Sequence, residues 1–209
     1  MKKGFTLLEM LVVIGIIAIL MGAMTFGYSK IVKSARKAKT QELVSNVAAA
    51  LTQLCQKNGG VWPKDIAEAA NGEGLLDAKA CGPLARRNYL DLDYNQDVIN
   101  KNPKAQVVLK GADRFGIVDP ETAKFLAAHK NATLGTKIST GGTVKDHILH
   151  FAIDTDGTGF VRLKNLDGAS GKEVRATAVV WAAGADGKVD YSSIGRNDDV
   201  YSWRPAQMK

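Results

Sequence analysis

Apolar residues run almost unbroken from Phe5 to Tyr28, and beyond them Leu43, Val44, Val47, Ala48, Leu51, Leu54 and Cys55 recur at intervals of three and four. The first pattern is apolar on every side. Its 24 residues would make about 36 Å of helix, enough for a bilayer that needs roughly 20 apolar residues. The second is the single face of an amphipathic helix. Asn58, Gly59 and Gly60 form a stop signal, because glycine accepts the left-handed conformation that ends helices, and Pro63 blocks an early restart. Together they predict one helix from Phe5 to Lys57, 53 residues or roughly 80 Å.

After Gly60 the pattern weakens and then changes period. Asp65 to Ala70 suggests a short helix, Asp77 to Tyr89 a loop with a helical turn, and Pro120 to Ala127 a helix with Asp119 as its cap and proline at the first position. From His147 to Ile153, Gly159 to Lys164 and Val174 to Ala182, β-branched and apolar residues alternate or run together between polar turns. These segments predict an antiparallel meander whose apolar face packs on the exposed half of the long helix, an α+β domain. About 150 residues lie beyond that helix, the size of one domain.

Hydropathy does not account for Glu9, a carboxylate inside a stretch fit for a membrane. Burying an unpaired charge there costs roughly 2.5 to 3.5 kcal/mol on insertion scales. A secretory signal peptide has an apolar core of about 7 to 15 residues, shorter than this one; a plain membrane anchor fits the length but leaves Gly4, Phe5 and Glu9 unexplained.

Gly4-Phe5-Thr6-Leu7-Leu8-Glu9, behind Lys2 and Lys3, resembles the processing site of type IV pilin-like proteins, a family that includes the pilins and the pseudopilins of type II secretion. The resemblance implies a leader of residues 1–4, cleavage after Gly4 by a cytoplasmic prepilin peptidase, methylation of the new amine on Phe5, and pairing of Glu9 with the amino terminus of a neighbouring subunit in a filament. An intramembrane carboxylate is tolerable with a cationic partner, and such a pair would set the axial register of adjacent helices. It also implies residues 5–28 as the membrane half of the helix, 29–57 as its exposed half, and 58–209 as a periplasmic domain. Within that domain, 58–146 is the family's variable segment and 147–209 the sheet with an acidic loop.

Charge complicates the orientation. Lys2 and Lys3 favour a cytoplasmic start, yet Lys30, Lys33, Arg36, Lys37 and Lys39 would draw the other flank inward by the positive-inside rule. The processing motif decides for an inner-membrane protein with the start inside, since the leader must meet a cytoplasmic enzyme. Removing Lys2 and Lys3 leaves 26 basic against 21 acidic residues, a net of +5. Much of that excess is the cluster from Lys30 to Lys39, suited to anionic lipid headgroups or acidic residues of adjacent subunits rather than to nucleic acid.

The two cysteines, Cys55 and Cys81, would face an oxidising space, where either a bridge or two buried thiols is open. A bridge closing that loop would contribute roughly 3 to 4 kcal/mol in the chain-entropy model.

Two acidic loops carry the candidate site chemistry. Gly184-Ala185-Asp186-Gly187, followed by Asp198-Asp199, resembles the terminal loop of the major pseudopilin of type II secretion. That resemblance implies one calcium ion held by Asp186, Asp198 and Asp199, with carbonyls such as that of Ala183 completing a shell of six to eight oxygens. Asp154-x-Asp156-Gly157-x-Gly159 resembles the opening of an EF-hand loop, with Asn165 where the bidentate glutamate belongs. A hairpin turn explains such a pattern more often than an ion does.

No nucleophile elbow, phosphate loop or zinc spacing appears, and His147 and His150 fall on opposite faces of an expected strand. The sequence therefore points to a structural subunit, not an enzyme. The resemblance implies itself, sister minor pseudopilins, the prepilin peptidase and an inner-membrane assembly platform as partners. A type IV pilin of a surface fibre and a membrane-anchored binding protein that never polymerises are the competing classes. No cysteine follows Cys81, whereas pilins more often close this region with a carboxy-terminal disulfide. The chain departs from the major pseudopilins in its greater length and in lacking their Asp-Pro-Trp-Gly element.

Overall fold

The computed structural model describes residues 6–86, 89, 116–129, 131–139, 141–164, 166, 171–184, 186–190 and 199–208. The chain divides into two units, Met1–Ala38 and Lys39–Lys209. Helix α1, Leu7–Lys57, contributes to both, so the expected helix is present within two residues of its expected start. Asn58 and Gly60 amides donate to the carbonyls of Leu54 and Cys55, and Gly59 and Gly60 adopt φ of 69° and 84°. The helix ends as the glycines require.

In the first unit the large apolar side chains from Leu7 to Met21 are exposed, Leu7 by 84%. Among the described residues no helix is long and apolar enough to cross a membrane. The unbroken stretch of described side chains from Leu7 ends at Gly22, about 24 Å along the helix against a hydrocarbon core of roughly 30 Å, and Tyr28 and Ile31 beyond it are again exposed. The 5–28 span expected from hydropathy lies partly outside the described residues, at Phe5 and at several side chains after Gly22.

The second unit is built on the other half of α1. Val44, Val47, Ala50, Leu51 and Leu54 are buried at helical spacing, with Leu43 and Ala48 only partly covered. Against them pack α2 (Lys64–Asn71), α3 (Ala78–Arg86) and one face of a sheet. The sheet is antiparallel, in the order β1 (His150–Ile153), β4 (Ala178–Ala182), β5 (Val200–Tyr201). Alternation places Phe151, Ile153, Ala178, Val180 and Ala182 toward α1 and Ala152, Val179 and Trp181 on the other face. The mixed α+β architecture expected from the sequence is the one observed.

The meander is not. β2 (Phe160–Arg162) pairs with β3 (Glu173–Arg175) as a separate two-stranded hairpin, and β1 pairs with β4 across it. The expected strand Val174 to Ala182 breaks at Ala176–Thr177, because Val174 belongs to the hairpin and Val179 to the sheet. The hairpin covers the outer face, where Val161, Leu163 and Val174 join Trp181, Tyr201 and Trp203 in a second core.

A third cluster holds Val118, Leu126, Val144 and Ile148 around α4 (Pro120–Ala128). It is tied to β1 by an irregular ladder: the Leu76 amide donates to Leu149, Leu149 to Ile117, Ile117 to Leu76, and Phe151 to Gly74 at 2.7–3.0 Å. Gly116 (φ 103°) can sit there only without a Cβ, which would run into the Leu76 carbonyl.

Candidate functional site

Three places bear on function: the start of α1, the acidic loop after β4, and the turn after β1. At the first, Thr6 and Glu9 close on each other. The Thr6 amide and hydroxyl both donate to Glu9 Oε2 at 2.8 Å, and the Glu9 amide donates to Thr6 Oγ1 at 3.3 Å. This is a capping box, with Thr6 as the cap and Glu9 at the third helical position. It satisfies amides that the first turn leaves bare, and the helix dipole favours a carboxylate there. The Thr-x-x-Glu signature is visible in the sequence but is easily overlooked when Glu9 is read only as a charge in a membrane span. Gly4 and Phe5, the expected cleavage and methylation positions, lie outside the described residues.

At the acidic loop, Asp199 is buried to 4% exposure. Its Oδ1 accepts from the Gly184 amide at 2.6 Å, and its Oδ2 accepts from the Asp190 amide at 2.9 Å and the Tyr201 hydroxyl at 3.2 Å. Thus Asp199 joins the exit of β4 to the entry of β5, and Ala183, the residue before Gly184, is buried. Asp186 stands apart in the exposed turn, where Oδ1 accepts from the Lys188 amide at 2.9 Å. Asp198 lies outside the described residues, among which no three metal-ligating side chains converge.

After β1, Asp154 and Asp156 are put to separate uses. Asp154 accepts from the amides of Thr158 and Gly159 at 3.1 and 2.7 Å, which folds the turn, and its carbonyl accepts from Trp62 Nε1 at 2.7 Å. Asp156 lies 3.6 Å from Arg162. The EF-hand pattern serves as a turn here, and Asn165 is outside the described residues.

The cysteine bridge is also absent. Cys55 and Cys81 are free and buried, and Cys81 Sγ points at the Leu76 carbonyl, 3.2 Å away. Burial pushes both thiols up, Cys55 further helped by the Asp154 charge, so neither is a nucleophile at neutral pH. The strand expected at His147 is a 3₁₀ turn instead, Lys145–His147. His147 is buried in it, and His150 opens β1, where its ring stacks on the paired Trp181 at 5.6 Å.

Residues 1–25 match the family model of the prokaryotic N-terminal methylation motif. No curated protein and no solved structure matches the chain. The matched motif is the prepilin signal of type IV pilin-like proteins, which marks a membrane-anchored amino terminus and points to a structural family.

Proposed function

We propose that the chain is a pseudopilin, a subunit cut by prepilin peptidase after Gly4, methylated on Phe5 and polymerised into the periplasmic filament of a type II secretion system with an inner-membrane assembly platform. The observation that carries the pilin-like part is the methylation motif at residues 1–25 at the head of a 51-residue helix whose far half is the spine of an α+β domain. The pseudopilin part is supported by the acidic loop, where Asp199 closes the segment between β4 and β5, and by the lack of any cysteine after Cys81.

In this reading Glu9 has two partners in succession. Within one subunit the capping box holds it; in a filament the amine of a neighbouring Phe5 joins it. Glu9→Gln separates the two roles, because glutamine also serves at the third position of a capping box but carries no charge. Co-expression with prepilin peptidase should give a chain shortened by four residues with a methylated amine, and Glu9→Gln should be processed yet fail to assemble. An uncut chain refutes the family role; normal filaments from Glu9→Gln refute the charge pairing.

Calcium is the ion that the resemblance of this loop implies. Asp199 and Asp186 accept backbone amides there, and thermal melting with and without chelator tests for the ion.

A further inference from the structure

His147 ends the 3₁₀ turn with its side chain 3% exposed. Nδ1 lies 3.1 Å from Asp119 Oδ2, and Nε2 lies 3.0 Å from the carbonyl oxygen of Gly141. A neutral imidazole has one N–H and one lone pair. Either tautomer would therefore aim a lone pair at an oxygen acceptor in a site closed to water, a mismatch that costs about 1 to 3 kcal/mol. Moving the proton to Asp119 does not help. That carboxylate already accepts from the amides of Glu121 and Thr122 through Oδ1 and from the Thr122 hydroxyl through Oδ2, which favours its ionised form.

We propose that His147 is a buried imidazolium, a proton-dependent clasp that fastens the amino end of α4 to the 141–147 turn and supports the acidic loop lying on it. The loop's approach is close: a Cβ on Gly187 would stand 3.0 Å from Gly142 Cα and 3.4 Å from His147 Nε2. Among the described residues, the charged groups around the ring are few. Asp119 faces it from the head of α4, and Asp146 adds its charge from the same turn, its carboxylate accepting from the Thr143 amide and hydroxyl at 2.7 Å. Lys145 is turned away to Glu73, 2.8 Å off. On the side of the acidic loop the ring meets the backbone of Gly187.

Burial alone would lower the His147 pKa, but the bonds to Asp119 and Gly141 and the charges of Asp119 and Asp146 outweigh it and hold the ring above its ordinary value. A raised value in the folded state means that the clasp stabilises fully below the unfolded pKa of about 6.5 and is lost as pH rises through the folded one. The third core cluster and the acidic loop should therefore loosen on the alkaline side while the helix-facing core holds. His150 is the internal contrast. Its buried Nδ1 has no partner among the described residues, and burial pushes its pKa down to about 4, so it stays neutral where His147 is charged.

The clasp stands whether or not the chain polymerises. It is tested on the full chain in detergent micelles with ¹⁵N-labelled histidine, the His147 signals being assigned by their loss in His147→Gln. Two ring N–H protons on His147 at pH 6.5, giving way to one as pH rises, are expected; a single ring proton at pH 6.5 overturns the proposal. Should His147→Gln not fold, Asp119→Asn keeps a capable helix cap while removing the charge, and should lower the His147 titration midpoint by about one pH unit or more. An unmoved midpoint overturns the clasp as well.

Discussion

Asp199→Ala is the sharpest probe of how the acidic loop is closed. The substitution removes a carboxylate that is 4% exposed and takes away the acceptor of the Gly184 and Asp190 amides, while the Tyr201 hydroxyl keeps the nearer Asp190 carbonyl at 2.7 Å. A hydrogen bond to a charged group contributes about 1.5 to 3 kcal/mol, and a stranded buried donor costs about 1 to 3 kcal/mol. These contributions do not add, because Asp190 sits near the surface and water can reach part of the loop. A net loss of about 3 kcal/mol follows, or about 6 to 12 °C in midpoint for a domain of this size. Asp186→Ala, which removes one acceptor from an exposed turn, should cost under about 0.5 kcal/mol. Tryptophan fluorescence of the full chain in micelles is the assay, since Trp203 lies 5.1 Å from Tyr201 and 5.8 Å from Trp181. The wild-type midpoint should not change with chelator. If Asp199→Ala shifts it by less than about 2 °C, the carboxylate is not the clasp; if chelator lowers the wild type as far as the substitution does, an ion closes the loop after all.

Other expectations follow from the same contacts. Thr6→Val should remove the hydroxyl half of the capping box and weaken the first turn by about 1 kcal/mol, seen as faster hydrogen exchange of the Glu9 amide, while leaving the Glu9 charge for assembly; exchange equal to wild type would deny the box. Leu54→Ala, at the fully buried centre of the helix-facing core, should destabilise the domain by about 2 to 5 kcal/mol in thermal unfolding, and a loss below about 1 kcal/mol would mean that α1 is not its spine. Gly116→Ala should be as damaging, through the Leu76 carbonyl it would strike, and a soluble variant with the wild-type midpoint would contradict that crossing. Cys55 and Cys81 should both be alkylated on unfolding without reductant and resist alkylation when folded; a mass two units lower, with no alkylation, would restore the bridge.

The long helix, α2 and α4 were legible because their signals are local, whereas α3, Ala78–Arg86 with Pro83 inside it, reads in sequence only as a loop with a helical turn. The run from Leu7, the stop at Gly59 and Gly60, and the Asp119 cap, which accepts from the amides of Glu121 and Thr122, each depend on residues within one or two turns. Strand pairing does not. Val174 and Val179 are five residues apart with the same β-branched signal and enter the same outer core, yet one pairs with Val161 and the other with Ala152, because pairing is decided by strands distant in the chain. The acidic residues show the same limit. Sequence places Asp154, Asp186 and Asp199 among glycines without showing which backbone amides reach each carboxylate, and in the fold each accepts at least one.

His147 follows from the same principle with the opposite chemistry. Its partners Asp119 and Gly141 lie 28 and 6 residues away, and neither can be chosen from a pattern that reads His147 as the first residue of a strand. Once the 3₁₀ turn rotates the ring inward, two acceptors meet two nitrogens and the proton count is fixed by geometry. The two histidines three residues apart then respond to pH in opposite senses: His150 costs stability as pH falls below about 6.5 toward 4, whereas the His147 contribution is lost as pH rises from about 6.5 through its raised value. Stability against pH should accordingly show a maximum between the two titrations, with the acid limb removed by His150→Phe and the alkaline limb by His147→Gln. A profile whose two limbs both survive both substitutions would assign the pH dependence to other groups.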